Sequence, residues 1–134
     1  MIPTTNTLLN TEVELETQPS KNYKMHFAEE VINGFRDELS AMEQVIFKIL
    51  NTERYQYQVY SWNYGIELLD LLGEPVSYVC PEIERRITEA LVQDDRIESV
   101  DSFIFDTTEK RKVHVTFTVH TVFGDVNSEK VVNY

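Results

Sequence analysis

The sequence predicts an α+β domain: about three helices packed on a small antiparallel C-terminal β-meander, with short N-terminal β elements and an extended N-terminal arm. Leu39–Leu50 and Pro81–Gln93 carry apolar residues three and four apart, the spacing that gives a helix one apolar face. Lys110–Phe123 alternates apolar and polar residues, the period of a strand with one buried side. The strands gather after the helices, so the helices can pack on one face of a meander.

Residues 1–21 read as an arm, polar and punctuated by Pro3 and Pro19; residues 22–134 read as one domain. Within the arm, Thr11–Glu16 alternates Val13 and Leu15 with Glu12, Glu14 and Glu16. That pattern suits an edge strand, or a segment that becomes a strand on meeting a partner. Asn22–Phe27 places Tyr23, Met25 and Phe27 on one side, and Asn33-Gly34 supplies the positive φ angles of a tight turn. Ser40 with Glu43 forms a capping-box pattern for a helix from about Leu39 to Leu50, whose apolar face is Met42, Val45, Ile46, Ile49 and Leu50.

Asn51–Leu69 holds four tyrosines and the only tryptophan. Tyr55, Tyr57 and Val59 alternate with Gln56 and Gln58, which suits a short extended piece; Trp62 and Tyr64 then clamp the chain before Gly65. Ile66–Leu72 reads as a short helix closed by Gly73, with Glu74-Pro75 preventing continuation. In Pro81–Gln93, Pro81 suits the first helical position, Glu82 and Glu84 suit the positive end of the dipole, and Ile83, Ile87, Ala90 and Leu91 form the stripe.

Ser99–Asp106 is the next strand, followed by a hairpin loop at Thr107–Lys110. In the long strand after it, Val113, Val115, Phe117 and Val119 face inward, and Lys112, His114, Thr116, Thr118 and His120 face out. Gly124-Asp125 predicts a second turn, and Val126–Tyr134 a last strand.

A chain of 134 residues can bury a core without a metal or disulfide. Its net charge of −11, from 23 acidic and 12 basic residues, argues against nucleic acid and anionic membranes, which want clustered Lys and Arg. It serves solubility, or it suits a basic protein partner. The single cysteine, Cys80, can form no internal disulfide, as in a reducing cytosol. The sequence opens without a signal-peptide pattern, and no apolar run approaches the ~20 residues of a membrane span. Such a protein would act outside the cell only after lysis or as part of a particle.

The residues that could carry chemistry form no catalytic, cofactor-binding or metal constellation. His114 and His120 share a strand face but stand roughly 20 Å apart, too far for one metal, and His26 lies elsewhere. Cys80 beside Pro81 reads as an N-cap or half-buried thiol. Glu53, Glu67, Asp70, Glu82, Glu84, Asp94 and Asp95 are too many to single out a catalytic pair. Arg85-Arg86 reads as a solvated face, and the four glycines make no phosphate loop.

Three segments carry a family resemblance: Ala41–Tyr57, Tyr60–Glu74 and Glu82–Phe103. In order, spacing and punctuation, Asn22 to the C-terminus resembles the prophage XkdS-like proteins of the contractile-tail baseplate-wedge family, whose best-known member comes from a T-even phage. The family's Gly-Glu-Arg pattern with a later glycine reads here Thr52-Glu53-Arg54, then Gly65; the leading glycine is absent. Its Glu-Pro-Arg motif with a β-branched residue is replaced by Asp94-Asp95-Arg96-Ile97, so Asp side chains must set a turn that proline sets elsewhere.

The resemblance implies a non-enzymatic baseplate protein that docks on the wedge core and nucleates the tail sheath. By position it assigns the wedge contact to Asp94, Asp95, Arg96 and Ile97. It implies strand exchange with the sheath through Val126, Lys130, Val131, Val132 and Tyr134, where the alternative is an ordinary terminal strand. Glu53 and Arg54 are expected to form charge pairs anchoring the loop, with Trp62 and Tyr64 packed beneath it and Gly65 allowing a tight approach; the aromatics could instead meet a partner directly. The implied partners are baseplate wedge core proteins and the tail sheath protein, with hub or tube-proximal proteins as further neighbours. Several copies would surround a sixfold particle, without cofactor, nucleic acid or membrane. The implied location is the bacterial cytoplasm during assembly, then the baseplate of a virion or tail-like particle. A peptidoglycan hydrolase is the alternative, since some family members carry a lysozyme label, and a small regulatory binding module is a third.

Overall fold

The structure is a computed structural model that describes residues 19–134, so Thr11–Glu16 lies outside the described residues. Two strands, β1 (Asn22–His26) and β2 (Val31–Arg36), form an antiparallel hairpin ahead of helix α1 (Glu38–Leu50). A loop with one 3₁₀ turn (Leu69–Leu71) leads to helix α2 (Val76–Val92). Strands β3 (Ile97–Asp106), β4 (Lys112–Thr121) and β5 (Gly124–Asn133) then form an antiparallel sheet in sequence order. α+β architecture and the C-terminal meander are as expected; among the described residues there are two α-helices, and the expected third is absent.

The third expected helix, Ile66–Leu72, is reduced to the 3₁₀ turn. Ile66 is committed elsewhere: its amide donates to the Thr52 carbonyl (2.9 Å) and its carbonyl accepts from the Arg54 amide (3.1 Å). Leu71 is fully buried, but Leu69 and Leu72 are 55 % and 58 % exposed, so the leucines form no helical stripe.

Helix α2 starts at Val76, five residues earlier than expected, and Pro81 lies inside it. Val79 belongs to the same i, i+4 row as Ile83 and Ile87, and burial of all three extends the helix past the proline. The only ladder bond this proline removes is the one its own N–H would make, one turn back.

Helix α1 is capped by Asp37 rather than Ser40: the Asp37 carboxylate accepts from the Glu38 amide (2.8 Å), and Ser40 Oγ instead donates to the Asp37 carbonyl (3.0 Å). The Ser20 hydroxyl also donates to the Asp37 carboxylate, fixing the start of the described chain at this cap.

Asn33-Gly34 is not the hairpin turn. The turn is Phe27–Glu30, and Asn33-Gly34 oppose the single residue Lys24 between the pairs Tyr23↔Phe35 and Met25↔Ile32, as a β-bulge. Gly34 has φ +70°, the conformation such a bulge needs. The second C-terminal turn is likewise displaced, to Val122-Phe123, because Thr121 already pairs with Gly124. Tyr55–Val59 is a series of turns, not an extended piece.

The core lies between the helices and one face of the sheet. Val113, Val115, Phe117 and Val119 of β4 are buried as the alternation requires, with Met42, Ile46, Ile49, Ile83, Ile87 and Leu91 above them. Gln44 is a buried polar exception on α1: its side-chain amide accepts from the Met25 amide (2.9 Å) and donates to the Tyr23 carbonyl (2.7 Å), as a neighbouring strand would.

Candidate functional site

Thr52-Glu53-Arg54 runs off the end of α1 and folds back on Gly65-Ile66 as a short parallel bridge between Glu53 and Ile66. Arg54 Nε and Nη2 donate to the Gly65 carbonyl (3.2 and 3.1 Å), and Nη1 reaches Glu89 Oε1 on α2 (3.1 Å). Glu53 makes no ion pair with Arg54. Its carboxylate accepts from the amides of Leu68 (3.0 Å) and Leu69 (3.2 Å), satisfying donors that the 3₁₀ turn leaves free. Gly65 has φ +92°, and a Cβ there would stand 2.5 Å from the Thr52 carbonyl oxygen, so only glycine fits.

The aromatic loop divides in two. Tyr64 is half-buried and stacks on Tyr60 (centroids 4.6 Å apart). Trp62, expected beneath the loop, is 77 % exposed, and Tyr55 and Tyr57 are exposed as well. The sequence signal for burial was size alone, and the glycine-centred bridge closes the loop without help from Trp62.

Asp94-Asp95-Arg96-Ile97 makes the corner between α2 and β3. Asp94 Oδ1 accepts from the Arg96 backbone amide (3.0 Å) and from Nε (2.8 Å), and Oδ2 accepts from Nη2 (2.6 Å). Burial pushes the Asp94 carboxyl upward, but the bonds from Arg96 outweigh it and hold the group below the usual carboxylate range. This carboxylate fixes the turn by binding a local amide, as proline does by its ring. Arg96 Nη1 also reaches the Pro19 carbonyl (3.4 Å), Ile97 is buried, and Asp95 is exposed. The corner and the aromatic loop, 30 residues apart in sequence (Tyr64 to Asp94), line one groove of about 690 Å³, together with Lys48 of α1 and Thr52 just past its end.

Among the described residues strand β5 is an edge, paired only with β4, and its ten pairs from Gly124 to Asn133 show no register shift. Thr121 and Gly124 flank a two-residue loop, so they are a hydrogen-bonded pair, and every second pair repeats that state. Val126, Ser128, Lys130 and Val132 therefore bond to β4, while the backbone groups of Asp125, Asn127, Glu129, Val131 and Asn133 point away from the sheet. Val126 and Val132 are buried in the core, and Lys130 Nζ bonds Asn51 Oδ1 (2.9 Å), so β5 is a structural strand as well as an edge. The opposite edge, β3, is broken by register shifts after Ile97 and after Asp101, with Ser102 at φ +57°.

Arg86 was hidden from sequence reasoning. It is 9 % exposed, not part of a solvated face; its guanidinium pairs with Asp70, with Glu82 Oε2 (3.1 Å) and with the Glu67 carbonyl (2.9 Å). Arg85 beside it is exposed and pairs along the helix with Glu82 and Glu89. The i, i+4 spacing of Glu82 and Arg86 was the one available signal.

On the outer sheet face, His120 bridges Asp125 (2.7 Å) and Asp101 (2.8 Å) across all three strands, and these bonds raise its pKa. His114 lies near Glu129 (3.0 Å). Cys80 is half-buried inside α2, and burial raises its pKa. Among the described residues no three His, Cys, Asp or Glu side chains cluster as metal ligands, and no helix is long and apolar enough to cross a membrane.

A family model described as the contractile injection system sheath initiator matches residues 15–124. The chain belongs to that family. It is also 39 % identical over 126 residues to the phage-like element PBSX protein XkdS of Bacillus subtilis (strain 168), covering 90 % of this chain and 89 % of that protein. The sheath-initiator match takes in both helices, the glycine bridge, the aspartate–arginine corner and the strands β3 and β4. It ends at Gly124, the first residue of β5.

Proposed function

We propose that this sheath initiator docks on the baseplate wedge core through the groove between its aromatic loop and the Asp94–Arg96 corner. It then receives the first sheath subunits by strand addition along β5. The observation that carries the proposal is the straight, ten-residue edge of β5, set on a fold whose other sheet edge is kinked. An edge strand offers unpaired amides and carbonyls to an extended partner, and main-chain pairing asks little of the partner's side chains. Several copies around a ring would add modest contacts through effective concentration. Tyr60 and Tyr64, which line the groove, and exposed Trp62 between Ser61 and Asn63 of its wall are side chains of the kind that anchor protein interfaces.

A non-enzymatic role fits the groove chemistry. A glycosidase needs a carboxylic acid held protonated opposite a second carboxylate. Asp94 is held ionised by Arg96 instead, and Asp95 is its sequence neighbour.

Val131→Pro tests the strand reading. Val131 is 50 % exposed and its N–H points away from β4, so proline removes no bond within the sheet yet blocks pairing at the edge. The variant is expected to fold, to enter baseplates and to carry no sheath. Normal sheath growth on it would end the proposal for β5. Tyr60→Ser with Asp95→Lys tests the groove, which both residues line: the folded double variant should fail to join the wedge, and normal incorporation would remove the groove from the interface.

A further inference from the structure

The outer and inner sides of the β5 edge differ in chemistry, and together they specify the strand that fits there. On the outer face β5 presents Asp125, Asn127, Glu129, Val131 and Asn133: two carboxylates and no basic residue. Behind them on the same face stand Asp101 and Asp106 of β3, which share register with Thr118 and His114 of β4; Lys112 is the one basic residue there, at the far end. His114 and His120 of β4 face Glu129 and Asp125 and offset them only when protonated.

The inner side carries an apolar strip in a mixed setting. Between α1 and the first half of β5 runs a groove of about 240 Å³, lined by Phe27, Ile46, Phe47 and Leu50 and, on its polar side, by Gln44 and Asn51. Phe27 and Phe47 lie in contact (centroids 4.2 Å apart) and remain 48 % and 42 % exposed. Arg36 and Glu43 pair across this groove at 4.0 Å, and Glu129 at its β5 side leaves it with an excess of acid.

We infer that the β5 edge takes a foreign strand that alternates apolar residues, turned into the Phe27–Phe47 groove, with basic residues turned to Asp125 and Glu129. This deepens, and rests on, the reading of β5 as the sheath-docking edge.

Two ten-residue peptides test this, identical in their apolar positions and carrying Lys or Glu at the alternate ones. Each is titrated into the full-length chain, with affinity read by calorimetry and binding site by amide hydrogen exchange. The Lys peptide should bind at least tenfold more tightly than the Glu peptide, protect the amides of Asp125, Asn127, Glu129, Val131 and Asn133, and lose much of its advantage at high salt. Asp125→Lys with Glu129→Lys should reverse the preference, and Phe27→Ser should weaken both peptides several-fold. Affinities within twofold of each other, or tight binding without protection of those amides, would overturn the inference. Equal protection by both peptides would sink the charge rule and leave strand addition standing. Sheath growth on Val131→Pro would sink both.

Discussion

Gly65→Ala separates a glycine kept for its backbone angle from one kept for space. At φ +92° an L residue is strained by roughly 1–3 kcal/mol. The new methyl would also sit 2.5 Å from the Thr52 carbonyl oxygen, a backbone atom that cannot swing aside. Relief requires parting the Glu53–Ile66 bridge, with loss of the Ile66–Thr52 hydrogen bond (2.9 Å) and disturbance of the Arg54 contacts to Gly65, each worth about 0.5–1.5 kcal/mol. The sum is about 2–6 kcal/mol, centred near 4, or roughly a 15 °C fall in Tm for a domain of this size. Gly73→Ala is the control: its φ is +89°, but no atom lies within 4 Å of a built Cβ, so only the same strain of roughly 1–3 kcal/mol remains. Thermal unfolding followed by circular dichroism should rank Gly65→Ala well below Gly73→Ala. Equal losses would refute the close-approach argument.

Arg86→Ala should cost about 2 kcal/mol, since hydrogen bonds to charged groups are lost while Asp70 is free to turn to water; Arg85→Ala should change stability far less, because its pairs lie in solvent. Urea denaturation of both compares adjacent arginines, and similar losses would contradict the burial difference. His120 has a raised folded-state pKa, so its contribution is complete below the unfolded value of about 6.5 and fades as pH climbs through the folded one. The urea midpoint should therefore fall from about pH 6 towards pH 9, and His120→Asn should remove that part of the slope; an unchanged slope would refute it. Deleting Val126–Tyr134 should leave an unfolded chain, because Val126 and Val132 belong to the core; a cooperative thermal transition in the truncated protein would show the core closes without β5.

Periodicity made most of the architecture readable. The i, i+4 stripes of α1 and α2 and the alternation of β4 each reflect a one-sided burial that the sequence must encode locally. The errors fall where long-range contacts decide. Ile66–Leu72 has the leucines of a helix, but its first residue is taken by Thr52 and Arg54, which lie more than ten positions back. Asn33-Gly34 has the residues of a turn and the positive φ of one, yet the chain spends them on a bulge. For the candidate site, the glycine, the aspartate–arginine corner and the last strand were all named from the sequence. That the aromatic loop and the corner share one groove depends on how α1 and α2 cross, which no local pattern records. Arg86 was misread because burial of an arginine follows from a partner in another element, Asp70.

The two margins of the C-terminal sheet are unequal, and that inequality gives the molecule a sense of direction. A sheet with two straight margins could be extended from either, and copies could string together into fibres. Here β3 is kinked at two places and β5 runs true, so of the two margins only β5 offers a straight line of backbone groups, and the sheet has a distinguishable side.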